Sequence, residues 1–519
     1  MCPYYASRAA IAPCEIVTLP YPLLLQRSAR EALGLSVKGH VIIIDEAHNL
    51  SDAIADVFSV TITSCQLEKA VTRIVTYAQK FKNRLKGKNR VYVTQIIRLL
   101  QAIADCFRRT ASENSYDDIS LSPEQLMRGK GVDQIKPHKL IRYLRESKLV
   151  NKVDGYMESH ETNEPCQQGV LSSLQSFLIV LMNPADEGRF FFSKKDQDFS
   201  IRYVLLDPRE HFRDIVEDSR AVILAGGTMS PMSDYGDYLF SYVDAGRLKT
   251  FSCGHVIPKE NLFAQVITRG PTGVEFDLTF QNRQSEDMIL DLGQIVEKVC
   301  CIVPDGVVAF FPSYDYLAIV MRTWRHNPAG VSVLAAIEMR KQVFEEPRPG
   351  EESVESLLRK YAEAVDTGRG ALLLSVVGGK LSEGINFSDR LGRAVLAVGL
   401  PFPNIYSAEW KAKIEHVEQI TRKKLDQNSL SEEELRSQTK EAGREFYENA
   451  CMRAVNQCIG RAIRHMNDYA AILLVDRRYS TRRIRKKLPG WITESMGLTT
   501  PTRIGQLEAG LKSFFGGKA

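Results

Sequence analysis

The sequence predicts an α/β protein with more than one parallel sheet and a mainly helical insertion. Three features carry that reading: short β-branched apolar runs that recur along the chain, a central stretch where they stop, and a long helical block further on. The runs are Val41–Ile44, Tyr203–Leu206, Ala221–Leu224, Val307–Phe311, Val331–Ala335, Ala371–Leu374, Ala394–Val398 and Ala470–Val475. Unbroken apolar segments of this length suit strands buried on both faces, the condition of a parallel sheet sandwiched by helices. From Thr61 to about Gly188 the rhythm gives way to Leu67, Ala70, Val71, Ile74, Val75 and Ala78, the spacing of an amphipathic helix. Thr110–Gln134 reads as polar loop. The block from Ser407 to Met466 reads as helix, and its second half opens on Leu430-Ser431-Glu432-Glu433-Glu434-Leu435, a Ser-x-x-Glu capping box flanked by leucines.

Composition bounds the function classes. The chain has 519 residues, 44% hydrophobic and 25% charged, enough for roughly three to four cores at ~150 residues each. No run nears the ~18 apolar residues of a membrane span. Met1-Cys2-Pro3-Tyr4-Tyr5 has neither the basic nor the apolar region of a secretory signal. The expectation is a protein that is neither membrane-spanning nor secreted. Lys and Arg number 68 against 63 Asp and Glu, and a net charge of +5 does not by itself demand a polyanion. The ten cysteines lack zinc-knuckle spacing and read as reduced thiols.

Chemistry concentrates at strand ends. Val41–Ile44 runs into Asp45-Glu46-Ala47-His48, which puts two carboxylates at the carboxyl edge of a parallel sheet. One such group can hold Mg²⁺ and its neighbour can activate water, the pair that nucleoside triphosphate hydrolysis requires; the plain alternative is a solvated strand end. Gln457-x-x-Gly460-Arg461-x-x-Arg464 is read as helical, with Arg453, Gln457, Arg461 and Arg464 on one narrow face. Guanidiniums there could reach a γ-phosphate or simply form a basic face. Ala371–Leu374 leads into Gly378-Gly379-Lys380-Leu381-Ser382-Glu383-Gly384-Ile385-Asn386, whose glycines free backbone amides for phosphate. This is no P-loop: G-x-x-x-x-G-K-[ST] occurs nowhere in the 519 residues. Gly226-Gly227-Thr228-Met229-Ser230-Pro231 and Phe311-Pro312-Ser313-Tyr314 offer small or hydroxyl groups where a nucleic-acid backbone could lie, or are ordinary turns. Lys80–Arg90 holds six basic residues and no acid, Arg477–Lys487 seven and no acid, densities that fit a phosphate backbone.

In chain order, Asp45-Glu46-Ala47-His48, Gly226-Gly227-Thr228, Phe310-Phe311-Pro312-Ser313-Tyr314, Ser382-Glu383-Gly384-Ile385-Asn386-Phe387 and Gln457-x-x-Gly460-Arg461-x-x-Arg464 resemble superfamily-two helicase motifs. Their wording resembles the XPD-like iron–sulfur DEAH-box DNA helicases. Ser252-Cys253-Gly254-His255-Val256-Ile257-Pro258, Leu400-Pro-Phe-Pro-Asn404-Ile405 and Cys2-Pro3-Tyr4-Tyr5 look closest to the chromatid-cohesion (chromosome-loss) branch. Many XPD relatives carry Asp where Asn386 stands.

The resemblance implies two RecA-like parallel-sheet domains, the first incomplete and interrupted by an arch. The expected boundaries are 1–61 and 199–234 for the first domain, 62–198 for the arch and 235–519 for the second. Asp45 would hold Mg²⁺, Glu46 would activate water and His48 would couple the site to the motor. Arg461 and Arg464 would reach the γ-phosphate of ATP beside Gln457, across a shared nucleotide gap. Thr228, Glu383 and Gly384 would link nucleotide state to DNA grip, and Ser313, Tyr314, Ser382, Asn386, Arg482 and Arg483 would contact DNA. The family carries a [4Fe–4S] cluster, moves 5′→3′ on single-stranded and forked DNA, and implies a nuclear location with cohesion and replication-fork proteins as partners. Cys2 matches the last of four cluster cysteines. The other three and the Walker-A lysine have no match, so a truncated and catalytically inactive form is expected, or a short form acting as a DNA- or partner-binding module.

Overall fold

A computed structural model describes residues 2–85, 87–113, 118–129, 131–132, 134–158, 169–195, 198–254, 257–326, 332–348, 350, 353–384, 387–425, 430–496 and 504–518. The chain divides into two units. The first comprises Met1–Leu224, Tyr235–Tyr242 and Asn404–Gly443; the second comprises Ala225–Asp234, Val243–Pro403 and Arg444–Ala519.

The first unit holds β1 (Val41–Ile44), β2 (Val60–Thr63), β3 (Asp118–Leu121), β4 (Gly188–Lys195), β5 (Asp198–Leu205) and β6 (Ala221–Leu224). β1 and β6 pair in parallel, Val41 opposite Ala221 through Ile44 opposite Leu224. Burial on both faces, expected for these two runs, is not observed: Val41 is 48% exposed, Ile43 67% and Ile223 48%. Among the described residues the sheet has two strands and a single covered face.

The insertion has the expected helices. Ser64–Lys80 buries Leu67, Ala70 and Ile74, and starts at a capping box in which the Thr63 hydroxyl accepts from the Gln66 amide. Lys88–Glu113, Pro137–Ser147, Leu149–Glu158 and Val170–Val180 follow. It also has a four-stranded antiparallel sheet, ordered β2-β5-β4-β3, that the sequence reading lacks. Tyr203–Leu206 therefore belongs largely to an antiparallel strand, and Thr110–Gln134 holds β3 and a short capped helix rather than loop alone. The period-2 signal is masked because Phe190, Phe191 and Phe192 are all buried. Phe190 meets Phe177 of the insertion's last helix at 5.6 Å between centroids, while Phe191 packs with Val204 and Ala412. Gly188 is required at the start of β4, since a Cβ there would sit 2.4 Å from the Tyr203 ring.

Ala412 lies on the helix Ala408–Leu425, which is why Asn404–Gly443 groups with the first unit. Arg202 reaches Glu409 at 3.2 Å, Arg189 reaches Glu415 at 3.1 Å, and the Asp118 carboxylate accepts from the Ala408 amide at 2.9 Å. His416, also on this helix, is buried 4.0 Å from Asp207. Burial pushes its imidazole below the ordinary value, outweighing the pull of Asp207. Burial alone would raise the Asp207 carboxyl, but the hydrogen bonds and charge of Arg209 hold it below the ordinary range. Both folded values are depressed, so both contributions are present at high pH and lost as pH falls. Acidifying from about pH 7.5 to about pH 5.5, across the ordinary histidine value, is expected to speed amide exchange in Ala408–Leu425. His416→Leu should abolish that response.

The second unit holds β7 (Leu262–Ile267), β8 (Gly306–Phe311), β9 (Gln342–Glu345), β10 (Ala371–Val376), β11 (Ala394–Val398) and β12 (Ala470–Val475) in one parallel sheet ordered β7-β12-β11-β8-β10-β9. Here the double-sided burial is met: every residue of β8, β10, β11 and β12 is buried. Val307, Leu372, Leu396 and Leu473 enter one core, and Val308, Leu373, Val395 and Ile472 enter the other. The edge strands β7 and β9 escape the sequence reading because Gln265, Gln342 and Glu345 break their apolar runs. Val331–Ala335 is not a strand. Ser332 caps a helix over Val333–Glu338, and Val331 lies outside the described residues.

Candidate active site and nucleic-acid interface

In the first unit, Asp45 and Glu46 stand exposed at the carboxyl end of β1, the edge the sequence reading assigns them. Glu46 takes a left-handed conformation (φ 48°), and its amide donates to Asp45 Oδ1 at 3.0 Å. Tyr21 donates to the Asp45 carbonyl, and burial followed by the charges of Asp45 and Glu46 raises its phenol. His48 tucks inward, with Nδ1 3.2 Å from Glu46 Oε2 and a side chain 6% exposed. Two exposed oxygen donors with a supporting imidazole fit a hard divalent cation such as Mg²⁺.

In the second unit the Ser313 and Ser382 segments follow the carboxyl ends of β8 and β10, whereas the arginine turn precedes β12 at the amino edge of the sheet. The helix Glu432–Ile459 opens on the expected capping box, with the Glu434 amide donating to Ser431 Oγ at 3.3 Å and the Ser431 amide to Glu434 Oε2 at 3.1 Å. It ends before the arginines. Arg461 and Arg464 lie on the turn after it, so the single helical face joining them to Arg453 does not form. Gly460 weakens the last turn, and the Arg461 carbonyl accepts from the Phe387 amide at 3.2 Å instead of from a helical partner. Arg453 is engaged with Asp234 at 2.8 Å. Gln457 is half-buried, and Thr228 lies so near that a Cβ on Gly460 would be 3.9 Å from its methyl.

The turn is anchored by a network absent from the sequence reading. His465 Nε2 lies 2.9 Å from Asp389 Oδ1, the Asp389 amide donates to Asp468 at 3.3 Å, and Arg393 pairs with Asp468 at 2.9 Å. Glu346, just past β9, is a second omission. Its buried carboxylate accepts from Tyr314 Oη at 3.1 Å, Ser375 Oγ at 2.7 Å, and the amides of Val376 and Leu381 at 2.9 and 3.3 Å. An acid directly after an unrecognised edge strand was the available signal.

Several predicted DNA contacts are committed within the unit. The Ser313 hydroxyl caps the helix Tyr314–Arg325, and the Ser382 hydroxyl, buried, donates to the Gly379 carbonyl at 2.9 Å. Burial, then the nearby Glu346, pushes the Tyr314 phenol up to about 12. Glu383 and Gly384 fall in the helix Lys380–Gly384, and Asn386 lies outside the described residues. In the second basic run, Arg483 pairs with Glu448 at 2.6 Å and Arg477 with Asp277 at 2.8 Å. Arg482 and Lys486 are exposed and, with Arg485, make no ion pair among the described residues.

Cys2 and Cys14 are exposed. Among the described residues the sole metal-compatible cluster of three or more is Asp389, His465 and Asp468, with no cysteine in it. The thiols of the described residues therefore do not fit a four-cysteine iron–sulfur cluster. No helix among the described residues is long and apolar enough to cross a membrane.

Comparison with known proteins bears on these motifs directly. A model of the DEAD_2 family matches residues 1–67, and one of the helicase C-terminal domain matches residues 296–495. The chain is 57% identical over 528 residues to the ATP-dependent DNA helicase chl1 of Neosartorya fischeri, covering 100% of this chain and 61% of that one. It is 57% identical over 513 residues to chl1 of Aspergillus clavatus, covering 97% and 70%. The chain thus spans roughly three-fifths to seven-tenths of these relatives. The fold is similar to "Structure of S. tokodaii Xpd4" (TM-score 0.58, 19% identity, 95% of this chain and 84% of that one) and to "XPD_Helicase" (0.54, 18%, 94% and 74%). With RecA-like parallel sheets carrying an acid pair in one unit and the Gln-x-x-Gly-Arg turn in the other, the chain belongs to the CHL1 family of XPD-like DNA helicases.

Proposed function

We propose that this chain is the part of an ATP-dependent 5′→3′ helicase that supplies the acid pair, the arginine turn and the grip on single-stranded and forked DNA. The carrying observation is the exposed Asp45–Glu46 pair at the end of a parallel strand, in a chain so similar to relatives named ATP-dependent DNA helicases. Mg²⁺ bound with ATP would supply charge neutralisation at the phosphates. Asp45 would hold that ion through oxygen, Glu46 would take the proton of the attacking water, and His48 would fix the Glu46 carboxylate. Arg461 and Arg464 would neutralise the γ-phosphate charge as it develops, with the Asp389–His465 contact holding their turn. A nuclear role in genome maintenance and sister-chromatid cohesion, alongside replication-fork proteins, follows from the same family reading.

A second reading, a DNA-binding module without turnover, is favoured by one fact: these 519 residues contain no Walker-A lysine loop. We therefore expect the 519-residue chain to bind oligothymidylate without Glu46-dependent ATP hydrolysis. Loss of Arg482, Arg485 and Lys486 together should flatten the dependence of log affinity on log salt by about 2, at ~0.7 per single-strand phosphate contact. ATP turnover that Glu46→Gln abolishes would overturn the inactive reading. Salt-independent or absent DNA binding would overturn both.

A further inference from the structure

A groove of about 410 Å³ opens in the second unit. Three stretches remote in sequence line it: Gly227 after β6, Ser252 to Gly254 with Lys259 before β7, and Gly490 with Trp491 after the basic run. The groove volume is within the range of ordinary ligand sites. We propose that it seats a short stretch of a single DNA strand, one base stacked on Trp491 and the sugar–phosphate backbone lying over bare glycines. The proposal rests on the DNA-binding reading above and names the residues that would do the gripping.

Glycine placement carries the argument furthest. A Cβ built on Gly227, Gly254 or Gly490 meets nothing within 4 Å, and none of the three has a left-handed φ. Neither packing nor backbone conformation therefore calls for glycine at these positions. Three of them on one groove leave parts of its wall without side chains, which allows another backbone to approach closely there. Trp491 packs partly against the core beneath the sheet, which makes its indole a fixed platform. Base stacking on such a platform tolerates any sequence.

Charge agrees. Lys259 on the rim is held by Glu494 at 3.3 Å, but both side chains are largely exposed (76% and 63%), so the pair is weak and a phosphate can compete for the ammonium. The basic run ends at Lys487, two residues before Pro489 on the groove wall, and its Lys486 is exposed.

The test uses the whole chain and fluorescein-labelled oligothymidylate of roughly 12 nucleotides. The chain has three tryptophans, Trp324, Trp410 and Trp491, and Trp324 is fully buried. Binding should quench intrinsic fluorescence, and Trp491→Phe, which keeps an aromatic face, should lose the quench while binding almost normally. Trp491→Ala should weaken binding about 5- to 100-fold, the range of one lost stacking contact. Gly254→Ala and Gly490→Ala, which have room in the fold, should weaken binding severalfold with unchanged melting profiles. Normal binding by the alanine variants, or a quench that persists in Trp491→Phe, would place the strand elsewhere and overturn the groove while leaving DNA binding intact. Absence of binding by the unaltered chain would instead defeat the DNA reading itself, and the groove with it.

Discussion

Arg393→Leu is expected to destabilise the second unit by about 3–5 kcal/mol, the cost of leaving a buried charge without its partner. Arg393 and Asp468 are 9% and 0% exposed and 2.9 Å apart, and the guanidinium also lies 3.8 Å from the centroid of Tyr469. Truncation leaves the Asp468 carboxylate with only backbone donors, the amides of Asp389 and Tyr469. It also removes a cation–π contact of about 0.5–2 kcal/mol. The pair itself is not intrinsically stabilising, because both ions pay for leaving water and Arg393 Nε finds no hydrogen-bond partner among the described residues. Hence Arg393→Leu combined with Asp468→Leu should recover much of the loss in urea unfolding. Full additivity of the two single changes would sink this account. The functional consequence follows from Asp389, a non-glycine residue at φ 55° that bonds both Asp468 and His465. Without Asp468 in place, the turn bearing Arg461 and Arg464 loses one of its ties.

The parts of this molecule that could be read from sequence are those whose environment is uniform. β8, β10, β11 and β12 are buried on both faces, so their unbroken apolar runs name them; the same pattern at β1 and β6 names the strands but overstates their burial. The helix Ser64–Lys80 is legible because one face alone is buried, and the Ser431–Glu434 cap because it is a local device. What escaped depends on contacts distant in sequence. Phe191 is apolar because a helix more than 200 residues later covers it, and no local period can encode that. Arg461 and Arg464 leave the helix because Gly460 and a bond from Phe387 end it, which the heptad-like spacing conceals. The acid pair was placed correctly at its strand edge. The anchoring residues Asp389, His465, Asp468 and Glu346 were invisible because their roles exist only once strands from separate parts of the chain adjoin.

Glu346→Ala is expected to cost about 3–5 kcal/mol and to loosen the segment between β10 and the helix Lys380–Gly384. The carboxylate is 3% exposed and gathers donors from three places: Tyr314 after β8, Ser375 and Val376 at the end of β10, and Leu381 beyond the glycines. Each hydrogen bond to an ionised group contributes about 1.5–3 kcal/mol, and an alanine satisfies none of the four. Removing the carboxylate also removes the cost of burying its charge, so the net loss is smaller than their sum. Packing makes the arrangement intolerant, since a Cβ on Gly379 would fall 2.5 Å from Glu346 Oε1 and 2.9 Å from the Val376 carbonyl. Glu346→Gln separates charge from shape. Its amide nitrogen must face either the Ser375 and Val376 donors or the Tyr314 and Leu381 donors, so one pair is left opposing a donor. We expect an intermediate loss, with faster amide exchange at Val376 and Leu381 than at the centre of β10. Equal exchange along the whole strand would mean that the carboxylate stabilises the sheet globally and has no special hold on the loop. The local result matters because this loop leads, through Phe387, to the Arg461 carbonyl. A buried carboxylate beside the end of β10 would then control how rigidly the arginine turn is presented.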